Sequence, residues 1–260
     1  NNLPLDLLTA TAKSLDRIDS FKERKDNIQI VITSGTLSHK QILNETILPV
    51  LAKILKKYKK VRLLFIGYID IGFELKKFSK RIQSIPFTEY STYLKLLTTS
   101  DIALVPLEVH PTTHGKSAIK WMEASLCGVT CICSPVRAYT DVITDGETGL
   151  IAQTAEEWHQ AISQLIEEPS KLRLIAQKAR YHANNLFDSE TGRAFWRNQI
   201  SKSIFKTTTN RPFKKVLVIN VFFAHQSIGG ATRVAQDYVQ AMLTDNQTNY
   251  EITVLCTEYD

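Results

Sequence analysis

Residues Asp101 to Ser134 read DIALVPLEVHPTTHGKSAIKWMEASLCGVTCICS, and this stretch decides the fold. Asp101–Leu107 is a short apolar run without alternation, the pattern of a strand buried on both faces. The spacing predicts a helix over Lys116–Leu126, with Ile119, Met122 and Leu126 on its core side and Gly128 as a C-cap. Val129–Ser134 is a second buried strand. Strand, crossover helix and strand make a parallel β-α-β unit.

The same alternation extends outward. Upstream, Asn27–Ser34 (NIQIVITS) is a β-branched strand ending at Gly35. Ser38 and Gln41 form a capping-box pattern before a helix that buries Ile42, Leu43, Ile47, Val50, Leu51, Ile54 and Leu55. Val61–Ile66 is a strand, Glu74–Arg81 is helical, Ile82–Phe87 is a weak strand and Tyr90–Leu97 a short helix. Downstream, Asp145-Gly146 marks a turn and Gly149–Ala152 a short strand. Thr154 with Glu157 caps a helix bearing Trp158, Ile162 and Leu165, and Pro169 separates it from another. About six such alternations predict an α/β fold, a Rossmann-like doubly wound parallel sheet. Ligands of such sheets bind beyond the carboxyl ends of the strands. Gly35, Gly67 and the segment Glu108–Lys116 fall there.

Residues 203–212 are polar and read as a linker. The pattern then restarts with a strand at Lys215–Phe223, a Gly229-Gly230 turn, a helix at Thr232–Leu243 and a strand at Tyr250–Thr257. The expected organisation is a nucleotide-binding domain over 1–202, a linker over 203–212 and a partial second βαβ unit over 213–260. The chain begins at Asn1 and stops at Asp260 beside a strand, so it is expected to be a piece of a longer protein.

Composition agrees with a folded α/β protein, with 43% hydrophobic and 22% charged residues. The net charge of +6 suits a phosphate-bearing ligand or an anionic membrane surface and is too small to argue for nucleic acid. Much of the excess sits at Lys53, Lys56, Lys57, Lys59, Lys60 and Arg62, where the plain alternative is a solvated helix end. Cys127, Cys131, Cys133 and Cys256 include no C-x-x-C pair and read as buried free thiols. No apolar run has membrane-spanning length and no signal peptide is seen, so a cytoplasmic protein is expected.

The chemistry concentrates where the helix begins near Gly115-Lys116-Ser117. A helix start offers unpaired backbone N–H groups and a positive dipole end, a seat for phosphate. Lys116, Lys120 and Glu123 follow at i, i+4 and i+7 and share one helix face. A carboxylate there can accept two hydrogen bonds from ribose hydroxyls. The alternative is a surface helix carrying a Lys120–Glu123 ion pair. Gly115-Lys116-Ser117 also imitates the end of a P-loop, but His110 stands where that motif needs its leading glycine. His110, His114 and His159 read as exposed polar residues, and Trp121, Trp158 and Trp196 as packing.

The run GKSAIKWMEASLCGVTCICSPVRAYTDVITDGETGLIA, then EEWHQAISQLIEEPSKLRLIAQKAR, resembles the C-terminal donor-binding domain of GT-B glycosyltransferases, closest to retaining enzymes of glycosyltransferase family 4. TSGTLSHKQ is similar to that group's first loop. The opening KVLVINVFFAHQSIGGATRVAQDYVQAM resembles the start of a second GT-B N-terminal domain. The resemblance implies transfer of a sugar from a nucleotide-sugar donor without a metal or cofactor, in bacterial surface polysaccharide assembly. It implies donor contacts at Gly35, Thr36, Lys116, Ser117 and Lys120, with Glu123 on the ribose; His39 is a further polar residue of the first loop. The first of the family's paired glutamates would fall at position 115, which is Gly115. No catalytic residue is assigned.

Expected partners are the nucleotide sugar and an N-terminal acceptor domain of the same protein outside this chain, without which the fragment is inactive. Peripheral association with the inner membrane face is also anticipated, and nucleic acid is not. The alternatives are a non-catalytic GT-B-like scaffold, which Gly115 favours, and a sugar-nucleotide epimerase of similar fold.

Overall fold

The computed structural model describes residues 27–34, 40–114, 116–186, 214–219, 230–243 and 250–255. Within residues 27–186, six strands form one parallel sheet: β1 (Ile28–Ser34), β2 (Val61–Gly67), β3 (Ile82–Ile85), β4 (Ile102–Val105), β5 (Thr130–Cys133) and β6 (Leu150–Ile151). Their order is β3-β2-β1-β4-β5-β6, with every pair parallel. This is the doubly wound order, and the chain reverses direction across the sheet between β1 and β4.

A helical turn at Lys40–Ile42 runs through a π-turn at Leu43–Ile47 into α1 (Leu48–Lys57). The Leu48 N–H donates to the Leu43 carbonyl, five residues back. Pro49 follows at once and has no N–H to give the Glu45 carbonyl, so the wider turn absorbs the mismatch that its ring imposes. Leu48, Val50, Leu51, Ile54 and Leu55 are buried against Ile30, Ile32, Leu63, Phe65 and Ile102 of the sheet. The same sheet face receives Trp158, Ile162, Leu165 and Ile166 of α7 (Ala155–Glu167). Each such side chain contributes ~1.5–3 kcal/mol of burial.

Strand pleating sends Val31, Leu64, Ala103 and Val105, all buried, to the opposite face. There α3 (Tyr90–Leu97) and α5 (Ile119–Leu126) cover the sheet. Between β2 and β3 lie α2 (Gly72–Leu75) and a 3-10 turn, Lys76–Arg81. Between β4 and α5 lies the single turn α4 (Pro111–His114), and α6 (Arg137–Thr140) follows β5. α8 (Pro169–Leu186) packs on α5, and its Leu172 carbonyl accepts from Thr130 Oγ1 at 2.8 Å.

Local signals held well. Thr154 and Glu157 make the reciprocal capping box that the sequence suggested. Gly128 has φ 73° and ends α5 in a Schellman arrangement, its N–H on Ser125 O and the Val129 N–H on Ala124 O. Cys127, Cys131 and Cys133 are buried and unpaired, as expected. Burial pushes the Cys127 thiol up to about 12 and holds it unreactive. Ser38 and Cys256 lie outside the described residues.

The second unit is a β-α-β pair by itself: β7 (Lys214–Ile219), α9 (Gly230–Leu243) and β8 (Tyr250–Leu255). The strands are parallel, in register from Lys214 opposite Tyr250 to Ile219 opposite Leu255. Leu217, Ile219 and Leu255 are each more than half exposed. One βαβ unit leaves this apolar strand surface uncovered. The remainder of the expected strands, and the linker at 203–212, lie outside the described residues.

Candidate functional site

The carboxyl edge of the sheet is built by register. Ser34 stands opposite Gly67 at the ends of β1 and β2. Tyr68 N–H donates to Ser34 O at 2.9 Å. A Cβ on Gly67, whose φ is 98°, would lie 2.0 Å from that oxygen. Only glycine lets the two strand ends approach so closely.

α5 rises from this edge. The sequence placed its start near Lys116, but the helix begins at Ile119, with Ala118 as an N-cap that makes no side-chain bond. The Lys116 N–H turns back onto Thr113 O at 3.2 Å, continuing the loop after α4, so the chain enters the helix three residues later. Lys116 and Ser117 are therefore exposed loop residues at the mouth of the edge and do not share the helix face of Lys120 and Glu123.

The surface-helix alternative is also overturned. Trp121 through Leu126 are all buried. Trp121 packs edge-on to His182 at 5.7 Å, and its Nε1 donates to Thr148 O at 2.8 Å. Glu123 is only 6% exposed, and each carboxylate oxygen accepts one phenol: Tyr90 Oη at 2.9 Å and Tyr93 Oη at 2.8 Å. Burial raises the Glu123 pKa; the two tyrosine bonds and the Lys120 charge oppose that rise. Burial, and then the Glu123 charge, hold the Tyr93 phenol well above its usual range, so it stays a donor.

Lys120 does not pair directly with Glu123. Its Nζ donates to Thr33 O at 2.6 Å, at the end of β1. Desolvation lowers its pKa to about 8, against the attraction of Glu123. Lys120 thus spans the point between β1 and β4 where the winding reverses; Gly35 and Thr36 are the next residues in sequence after β1. Those two residues, His39 and Gly115 lie outside the described residues.

Tyr90 and Tyr93 were not anticipated. They sit at i and i+3 on α3, so one helix face presents both, but nothing local tells which carboxylate they meet. His114 is exposed, and its Nδ1 accepts from the Arg137 N–H at 3.0 Å, a structural bond between the α4 and α6 turns.

Residues 28–168, more than half of the chain, match the family model for glycosyl transferases group 1. The chain belongs to that family. Among curated relatives, the D-inositol 3-phosphate glycosyltransferases of Rhodococcus opacus and Rhodococcus jostii are each 34% identical over 88 residues. That is 33% of this chain and 19% and 18% of theirs, so the match spans about a fifth of those proteins. The fold is that of GT-B glycosyltransferases. Anabaena HepE in complex with UDP and glucose superposes with TM-score 0.58 at 16% identity, over 73% of this chain and 52% of that one. Sucrose-phosphate synthase from Thermosynechococcus elongatus gives 0.57 at 20%, over 75% and 49%. The isolated C-terminal domain of a group 1 protein from Francisella tularensis gives 0.50 at 16%, over 66% of this chain and 93% of that domain.

Proposed function

We propose that this chain is the nucleotide-sugar-binding half of a retaining, metal-independent glycosyltransferase, cytoplasmic and acting in surface polysaccharide assembly. What carries the reading is Glu123, an anchored carboxylate on a helix rising from the carboxyl edge at the winding switch. Each oxygen accepts one phenol, and a carboxylate can take about four hydrogen bonds, so capacity for a ribose diol is left. Lys116 and Ser117, exposed at the mouth of that edge, suit the diphosphate; Gly35 and Thr36 come next after β1 in sequence. With no cofactor or metal in the reading, the leaving diphosphate is stabilised by Lys116 and backbone N–H groups.

Transfer itself needs the facing acceptor domain, so this chain binds donor and does not turn over. HepE, bound to UDP and glucose in its structure, is consistent with a uridine nucleotide as the first to try. Calorimetric titration with UDP, GDP and their sugars should show one saturable nucleotide, weakened in Lys116→Ala and Glu123→Gln. In the complete protein, anomeric retention by NMR and activity in the presence of EDTA test the mechanism.

One observation favours a second reading, the non-catalytic scaffold: Glu123 is nearly buried and both its oxygens are already engaged. Absence of nucleotide binding by both this chain and the complete protein would decide for it.

A further inference from the structure

We propose that the amino edge of the sheet, around the end of α1, docks on an anionic bilayer surface. Lys53, Lys56, Lys59, Lys60 and Arg62 are all exposed there, and Lys77 and Lys80 of the 3-10 turn join them. The two segments are tied together by Arg81. Its guanidinium donates to Leu55 O at 2.6 Å and Tyr58 O at 2.9 Å, and it shares the Phe78 ring with Lys77, at 5.1 and 5.3 Å.

A lysine run at a helix end is ordinarily explained as complementing the helix dipole. Here Arg81 already donates to the Leu55 carbonyl of the last turn and to the Tyr58 carbonyl of the cap, so part of that role is filled without the lysines. Lys57 pairs with Glu167 at 3.0 Å. None of the other seven cations has a carboxylate within ion-pair distance among the described residues. A surface whose cations far outnumber their carboxylate partners is unfavourable to fold and favourable to present to an anionic partner.

The shape selects the partner. Tyr58 and Phe78 pack against the core, and the exposed Phe73 ring on α2 already carries Lys76 at 5.5 Å, so no row of open rings is offered to stacked bases. The cations spread over a helix end and a turn, which suits a plane of anionic headgroups, where each basic residue adds attraction. The surface lies at the edge opposite Ser34, Gly67 and Glu123, so the inference is independent of the donor-site reading.

The test is flotation of the full chain with phosphatidylcholine vesicles, with and without phosphatidylglycerol. The expected result is binding only to anionic vesicles, weakened by added salt. The combined variant Lys53→Gln, Lys56→Gln, Lys59→Gln and Lys60→Gln, all exposed, should lose ~100-fold or more in partitioning. A control with the same charge loss elsewhere, Lys40→Gln, Lys95→Gln, Arg173→Gln and Lys178→Gln, should keep most of it. Equal loss in the two variants, or no binding of the parent chain to anionic vesicles, overturns the proposal. So does an oligonucleotide that binds this surface more tightly than the vesicles do.

Discussion

The Lys120 ammonium donates to the Thr33 carbonyl at 2.6 Å, joining residues 87 apart in sequence. This bond fixes where the end of β1 stands relative to α5. Burial lowers the lysine pKa from 10.5 to about 8. Below pH 8 both folded and unfolded chains carry the proton, and the cost of the buried charge is fully present. Between pH 8 and 10.5 the unfolded chain binds more protons, so stability rises with pH through that window. The gain is up to ~3 kcal/mol. Urea unfolding across this range should show the rise in the parent chain relative to Lys120→Met, in which the step is absent. Parallel profiles would remove Lys120 from the interior.

Tyr93→Phe deletes the donor to one oxygen of a nearly buried carboxylate. The expected loss is ~1–3 kcal/mol in denaturant midpoint analysis, with unchanged secondary structure. Tyr90→Phe should act in the same direction. On the ribose reading of Glu123, Tyr93→Phe weakens nucleotide binding less than Glu123→Gln does.

Gly67→Ala sets a methyl group 2.0 Å from Ser34 O at a φ of 98°. Strand ends must separate, and the expected cost is ~3 kcal/mol or more, or failure to fold. Gly146→Ala is the control: its φ is 77° but nothing lies near the new methyl, so only the conformational cost of ~1–2 kcal/mol applies. Equal destabilisation of the two would show that the strand ends do not touch.

In hydrogen exchange, β7 and β8 should lose protection before β1, β2 and β4. The first pair leaves Leu217, Ile219 and Leu255 exposed, whereas Ile30, Ile32, Leu63 and Leu104 are at most 2% exposed. Equal protection in both units would contradict this.

The sequence by itself determined the α/β class and nearly every element, because strand length, helical period, the Thr154–Glu157 box and the Gly128 cap are all written in neighbouring residues. It also singled out Lys120 and Glu123. It misjudged where α5 starts, since the Lys116–Thr113 turn competes locally with helix and the outcome depends on how the loop is held. Only the tertiary structure decided what the singled-out residues meet: Glu123 finds phenols 33 and 30 residues away, and Lys120 a carbonyl 87 away. The reason is physical. Periodicity assigns a side chain to a face, but strand order and register choose what stands opposite that face. Those are set by the packing of the whole sheet.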